Sequence, residues 1–184
     1  MNDKKVVFLS PSAQEYNIGL GNFGSEEYRM NRIVDIIEKR LIDDGYNIKW
    51  YWIGEGLEID YLNFYLKESK LENRFIFLGP KSNPYPYIRD CDIYVQPSKM
   101  EGYCTTVVEA RCFNKPMVIT DVGGSREQIK DNFTGFIVNC TEDDIYKKLK
   151  LLINDKNLRT KFTNNLSKEG IDTRNEVNKL YELI

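Results

Sequence analysis

The feature that most constrains this chain is an alternation. Short, continuously apolar segments of strand length take turns with longer segments of helical periodicity almost to the C-terminus. Val6 to Leu9, Ile48 to Ile53, Phe75 to Leu78, Ile93 to Val95, Met117 to Thr120 and Phe136 to Val138 are rich in β-branched and aromatic residues and read as strands. Between the first two, Met30, Ile33, Val34, Ile37 and Leu41 mark a helical stripe over Glu26 to Asp43, closed by Gly45. Leu57 to Ser69, a short stretch after Asn83-Pro84-Tyr85-Pro86, Thr105 to Phe113, a segment opened by Gly123-Gly124-Ser125, and the remainder beyond Val138 are also expected to be helical. Strands apolar along their whole length need cover on both faces. Repeated β-then-α units therefore predict a Rossmann-like parallel α/β sheet with helices on both sides. The length of 184 residues suits a single domain spanning 1–184. Ligands in such sheets sit at the carboxyl ends of the strands, so the loops following strands are where function is expected.

Composition removes several classes of function. A formal net charge of −2 offers no basic field for a nucleic-acid backbone. No apolar run approaches the roughly 20 residues of a membrane helix, and the start of the chain lacks a secretory pattern, so a cytoplasmic protein is expected. The four cysteines, Cys91, Cys104, Cys112 and Cys140, lack metal or redox spacing and are expected to be reduced, mostly buried thiols. The chain contains no histidine, which removes the usual general base and zinc ligand together. Chemistry here must run on carboxylates, hydroxyls, amides and basic side chains.

One segment concentrates such groups. From Ile93 the chain passes through Pro97-Ser98-Lys99-Met100-Glu101-Gly102-Tyr103-Cys104 into a helix that begins at Thr105-Thr106 and carries Glu109. The first turn of a helix presents unpaired N–H groups and the positive end of the dipole, a seat for a diphosphate. Glu109 follows Thr105 by four residues and Thr106 by three, which puts all of them on one helix face. A carboxylate one turn behind a phosphate seat can accept hydrogen bonds from a ribose diol. Read alone, the two glutamates are equally an N-terminal helix charge and a solvated loop residue.

The flanking residues add a pattern. Phe77-Leu78-Gly79, Asn83 to Ile88, Cys91 to Val95, Pro97-Ser98, Glu101-Gly102-Tyr103 with Glu109-Ala110, Lys115-Pro116, Thr120 to Gly124, Glu127 and Thr134 to Val138 stand in one order over about a third of the chain. This run resembles the C-terminal, donor-binding domain of retaining GT-B glycosyltransferases, glycosyltransferase family 4. The upstream half matches through the looser helix–Gly45–strand–Gly54-Glu55-Gly56 pattern.

The resemblance implies one half of a GT-B architecture that binds a nucleoside-diphosphate sugar, with UDP-sugar the expected donor, for transfer to a glycan or lipid-linked acceptor in polysaccharide biosynthesis. It implies that Glu101 contacts the sugar in the catalytic position and that Gly102, Tyr103 and Cys104 line the sugar pocket. Glu109 would bind the ribose hydroxyls, backbone amides near Thr105 and Thr106 the distal phosphate, and Gly79, Pro80 and Lys81 the base. Neither a metal nor another cofactor is expected. The N-terminal acceptor domain is expected to be absent from the chain, leaving the isolated half inactive or nearly so. Any peripheral membrane association would run through that absent domain.

In one place the sequence departs from the family. The loop after the first strand usually supplies an Arg and a Lys to the diphosphate, yet nothing basic lies between Lys5 and Arg29. Arg29 is the better candidate to turn inward and Arg32 the second. The departure keeps open an alternative, a non-catalytic GT-B-like interaction module; a nucleotide-sugar epimerase of the same fold is disfavoured by the lack of histidine. Gly19-Leu20-Gly21-Asn22-Phe23-Gly24 forms a G-x-G-x-x-G too far from the preceding strand for a dinucleotide fingerprint, and reads as a loop that closes over the donor. Asp90-Cys91-Asp92 is a formal D-x-D placed ahead of a strand, where it reads as structural. Gly123-Gly124 either caps a helix or borders the sugar pocket.

Overall fold

The computed structural model describes residues 37, 39–53, 67–68, 73–99 and 102–170, together with the backbone of residues 5–9. Six parallel strands form one sheet: β1 (Lys5–Leu9), β2 (Ile48–Ile53), β3 (Phe75–Gly79), β4 (Ile93–Gln96), β5 (Met117–Thr120) and β6 (Phe136–Val138). Their spatial order is β3-β2-β1-β4-β5-β6. The chain runs outwards from β1 to one edge, then crosses back over β1 and runs to the other. The direction of winding therefore reverses between β1 and β4, where Val7 pairs with Ile93 and Leu9 with Val95. That reversal opens a crevice at the carboxyl edge, the place where open α/β sheets take ligands.

Five helices are bounded among the described residues: α1 (Tyr85–Asp90), α2 (Thr105–Cys112), α3 (Ser125–Gln128), α4 (Glu142–Asn154) and α5 (Lys156–Glu169). The expected strands all form, β2, β5 and β6 with the expected limits. Of the helix expected over Glu26 to Asp43, residues 37 and 39–43 are described and helical, and of that over Leu57 to Ser69, residues 67–68 are. Gly45 ends the first at φ +84°, with its own N–H on Ile42 O and the Tyr46 N–H on Leu41 O. That pair of bonds closes a helix with a left-handed residue that only glycine adopts cheaply. Beyond Val138 the described residues are helical as expected, in two helices. Thr141 caps α4 by accepting from the Asp144 N–H at 3.2 Å. Asp155 caps α5 by accepting from the Leu158 N–H at 2.9 Å, so a side chain that competes for amides breaks the helical run.

Both faces of the sheet are covered, and the strand period sorts the side chains between them. On one face Ile93, Val95, Val118, Phe136 and Val138 pack against Ile37, Leu41 and the buried stripe of α4, Ile145, Leu149, Leu152 and Ile153. On the other Tyr94, Met117 and Ile119 pack against Ile88 of α1, Val107 and Ala110 of α2, and Ile129. Every side chain of β4 and β5 is buried, as central strands of a two-sided sheet require. Among the cysteines, Cys91 and Cys104 are buried and Cys140 half-buried, and burial pushes the Cys91 thiol up to about 12. Cys112 is the exposed member of this mostly buried set, in the last turn of α2. Among the described residues no helix is long and apolar enough to cross a membrane.

Gly135, one residue before β6, shows how tightly this sandwich closes. A Cβ there would lie 2.8 Å from Met117 Cγ, 2.9 Å from Ile129 Cδ1 and 3.0 Å from the Met117 carbonyl oxygen. The last of these is backbone inside the sheet and has little room to retreat. Gly135→Ala is expected to cost about 1–3 kcal/mol by overpacking. A fall in the urea midpoint at unchanged slope would show it; an unmoved midpoint would mean that the Met117 and Ile129 side chains absorb the methyl group.

Candidate functional site

The carboxyl edge of β4 is built on polar groups inside the protein. Strand period aims Tyr94 and Gln96 of β4 to one face of the sheet, and both are buried, as is Ser98 in the loop that follows. Tyr94 Oη donates to Gln96 Oε1 at 2.6 Å and lies 2.8 Å from Thr106 Oγ1. Thr106 Oγ1 is 3.3 Å from the same Gln96 oxygen, and the Cys104 sulfur is 3.1 Å away. Gln96 Nε2 donates to Ser98 Oγ at 2.8 Å. From β5, Thr120 Oγ1 donates to the Ser98 carbonyl and lies 3.3 Å from the Gln96 carbonyl. Gln128 Nε2 of α3 donates to the Cys104 carbonyl at 2.7 Å. Buried polar groups must find partners or cost stability, so this closed set fixes the loop after β4 and the start of α2 relative to both strands.

The result is a helix N-terminus held at the crevice. The first helical hydrogen bonds of α2 run from the Val107 and Val108 N–H groups to the Cys104 carbonyl. The Thr105 and Thr106 amides precede that ladder, so the helix itself does not use them. The two threonines then divide. Thr105 is exposed, whereas Thr106 turns its hydroxyl into the buried network and offers the edge only its amide. Cys104 likewise turns its thiol inward and presents only its backbone. Gly102 and Tyr103 are exposed, the tyrosine ring by 54%. Glu101, Arg29, Arg32 and the Gly19 to Gly24 loop lie outside the described residues.

The loop after β5 closes on the loop after β4. Gly124 adopts φ +75°, and a Cβ there would stand 2.5 Å from the Gly102 carbonyl oxygen and 3.3 Å from the Tyr103 ring. Ser125 Oγ donates to the Thr120 carbonyl at 2.8 Å and accepts from the Val122 N–H at 3.2 Å, holding this turn onto the strand. Of the two readings open in the sequence, the structure bears out the cap: Gly124 is the N-cap of α3, its carbonyl accepting from the Glu127 and Gln128 N–H groups at 3.1 Å, and it also lies against Gly102 and Tyr103. Arg126, in α3, spends its charge on Asp121 in a two-point ion pair.

Glu109 is half-buried on α2. Burial holds its carboxyl above the usual glutamate range, an effect that Tyr85 of α1 partly offsets. Gly79 ends β3 at φ +67° and leads into exposed Pro80 and Lys81, a left-handed turn at the same carboxyl edge. Asp90 and Asp92 lie elsewhere, at the amino end of β4, and Asp90 takes two hydrogen bonds from Arg89, at 2.7 and 3.1 Å. Among the described residues, no three carboxylate or thiol side chains are placed to hold a metal ion.

Comparison with known proteins gives this geometry a context. Residues 5–169 match the family described as Glycosyl transferases group 1. A Campylobacter jejuni relative, N-acetylgalactosamine-N,N'-diacetylbacillosaminyl-diphospho-undecaprenol 4-alpha-N-acetylgalactosaminyltransferase, is 31% identical over 120 residues, 64% of this chain and 33% of its own. An Escherichia coli relative, UDP-Gal:alpha-D-GlcNAc-diphosphoundecaprenol alpha-1,3-galactosyltransferase, is 26% identical over 152 residues, 80% of this chain and 38% of its own. The chain thus spans less than half the length of these relatives. Among solved structures, a variant of S. aureus TarM with Fondaparinux, alpha-GlcNAc-glycerol and UDP superposes with a TM-score of 0.77 at 22% identity, over 98% of this chain and 35% of that one. Anabaena HepE with UDP and glucose gives 0.76 at 19% identity, over 98% of this chain and 48% of that one. The fold is therefore the Rossmann-like α/β sheet of GT-B glycosyltransferases.

The Gly124 contact yields a test of how the two loops cooperate. In Gly124→Ala the added methyl is strained by its positive φ and meets a backbone oxygen that must move. We expect a loss of about 1–3 kcal/mol in stability. Amide exchange should also speed up at Gly102 and Tyr103. Unchanged exchange there would show that the two loops are not braced against each other.

Proposed function

The chain belongs to the glycosyl transferases group 1 family, and from that premise we propose that it is the donor-binding half of a retaining family 4 enzyme that moves a sugar from a nucleoside diphosphate, UDP for preference, to a glycan or lipid-linked acceptor. The observation that carries this reading is the start of α2. Its first-turn amides stand at the crevice between β1 and β4, fixed by the Gln96 network, with the Glu109 carboxylate one turn behind them. Two relatives named for transfer onto undecaprenol-diphosphate-linked sugars support the acceptor class. Structures solved with UDP support the donor.

In this reading the amides of Thr105 and Thr106 take the distal phosphate and Glu109 takes the ribose hydroxyls. Gly79, Pro80 and Lys81 form the base pocket. Gly102 and Tyr103, with the backbone of Cys104, border the sugar, and Glu101 reaches its ring. As the glycosidic bond to the diphosphate breaks, negative charge grows on the departing phosphate. Preorganised N–H dipoles at a helix terminus stabilise that charge without reorganising, which is where electrostatic catalysis is most effective. Arg29, if turned inward, would add a full positive charge. No metal is needed in this scheme, because amides and guanidinium supply the positive field. A second domain, amino-terminal in the whole protein and on the cytoplasmic side of the membrane, would bring the acceptor to the cleft. The chain on its own would bind the donor and transfer little.

Two outcomes test the donor site. Calorimetric titration should show UDP binding that weakens about tenfold or more in Glu109→Gln, the loss of a charge-assisted contact to two hydroxyls; no affinity for any nucleoside diphosphate would sink the reading. The second test is pH. The carboxylate accepts two hydroxyls only when ionised, and burial raises its pKa. UDP affinity should therefore decline on acidification, beginning above the ordinary glutamate range, and Glu109→Gln should flatten that decline. A parent profile already flat through this range would remove Glu109 from the contact.

A further inference from the structure

We infer that Gln128 is a positioning residue for the distal phosphate: its side-chain amide, donating to the Cys104 carbonyl, orients and polarises the peptide group whose N–H, on Thr105, meets that phosphate. The inference rests on the donor-site reading of the start of α2 and adds to it a residue of α3 that acts through the backbone.

Gln128 is the last residue of α3 and is held from both sides. Its backbone N–H donates to the Gly124 carbonyl at 3.1 Å, and the next N–H, that of buried Ile129, donates to the Ser125 carbonyl at 3.0 Å. Ser125 ties this turn to β5 through its hydroxyl, 2.8 Å from the Thr120 carbonyl. From that base Gln128 Nε2 reaches the Cys104 carbonyl at 2.7 Å, inside the protein and 24 positions away along the chain. The same oxygen accepts from the Val107 N–H at 3.2 Å and from the Val108 N–H at 3.4 Å. The side-chain bond is thus the shortest of three on one carbonyl. The two helical donors already give that oxygen its partners, so its burial does not call for a third. An apolar side chain would fill the space between α2 and α3 with no polar group to satisfy, yet an amide stands there, 2% exposed.

The chemistry follows from the peptide bond. The Cys104 C=O and the Thr105 N–H belong to one planar unit and, in its trans form, point in opposite directions. The carbonyl points along the helix to its bonded donors, so the N–H points out of the helix start. Three donors on the oxygen leave that plane little freedom to turn. They also draw electron density towards the oxygen, which makes the N–H at the other end a stronger donor. A phosphate oxygen accepting from Thr105 would strengthen the Gln128 bond in return. Fixing a group in its bound geometry also removes a cost of ordering when the ligand arrives. The loop after β5 thereby contributes to diphosphate binding without touching the ligand.

The test compares UDP with UMP, which lacks the distal phosphate, by calorimetry on the intact chain. Gln128→Met keeps the length of the side chain and removes its donor. We expect UDP affinity to fall about fivefold, the worth of one hydrogen bond, and UMP affinity to fall less, so that the preference for the diphosphate shrinks. A structural role alone would shift α2 as a body, carry Glu109 with it and weaken both nucleotides alike. An unchanged ratio in Gln128→Met overturns the inference. A second measurement needs no variant. In the NMR spectrum of the parent, saturating UDP should move the Gln128 side-chain amide proton downfield, and UMP should leave it near its free position. An equal response to both nucleotides, or none to either, also overturns the inference. The donor site is judged separately, on the parent alone. If the parent binds UDP no more tightly than UMP and its Thr105 amide resonance ignores UDP, the phosphate seat is lost and the role of Gln128 with it. If the parent prefers UDP while Gln128→Met keeps the ratio, the positioning role is lost and the donor site stands.

Discussion

The structure at the carboxyl edge depends on Gln96. Its side chain is buried among apolar strands, where an unpaired amide would cost several times what a satisfied one contributes. Its carbonyl oxygen accepts from Tyr94 and stands by Thr106, its amide donates to Ser98, and its backbone carbonyl faces Thr120. These partners come from the strand itself, the loop after it, the next helix and the neighbouring strand. Moving any one of them strands a polar group in the interior. The network therefore converts a burial penalty into positional accuracy for the amides at the start of α2, which are otherwise held only by a short loop.

Glycine supplies the complementary constraint from outside. Where the Gln96 network pulls the loop after β4 inward, Gly124 lets the loop after β5 press against it at backbone distance. Hydrogen bonds through Ser125 and Gln128 tie that second loop to Thr120 and to the Cys104 carbonyl. Cys104 O thus accepts from the Gln128 side chain as well as from the Val107 and Val108 N–H groups, so the N-cap of α2 is tied to both α2 and α3. Loops braced in this way behave as extensions of the sheet, which suits a site whose chemistry relies on dipoles that must already point the right way.

Much of this was legible in the sequence, for a physical reason. A strand covered on both faces must be apolar throughout, so Ile48 to Ile53 and Met117 to Thr120 announced their own limits. Gly45 could be read as ending a helix and Gly123-Gly124 as opening one, because left-handed backbone such as that of Gly45 and Gly124 narrows the choice of residue. What escaped depends on proximity between distant segments. Thr106 looked like a surface hydroxyl for phosphate, and only the fold brings it to Tyr94 and Gln96. One signal was present: Tyr94 and Gln96 recur at the strand period, so two polar side chains share one face of a buried strand, with Ser98 in the loop just after it. Such a stripe has to be internally bonded, and a helix placed over it must carry a polar partner. Asp155 was missed for the opposite reason, since a single capping carboxylate interrupts a pattern that is otherwise helical on both sides.

The same logic bears on the proposed sugar transfer, in which a site without histidine would release a diphosphate. Departure of a phosphate leaving group asks for positive potential more than for a proton shuttle, and aligned backbone N–H groups supply it without a titrating side chain. Arg126 shows why side-chain cations are less dependable here: Asp121 takes its charge in a two-point pair. Amides at a helix terminus cannot be diverted in that way once their carbonyl partners lie behind them. Their effectiveness then rests on where the helix begins and how little it moves. Both are decided at Cys104 and Thr106 by bonds to Gln96, Tyr94 and Gln128, none of which needs to touch the ligand.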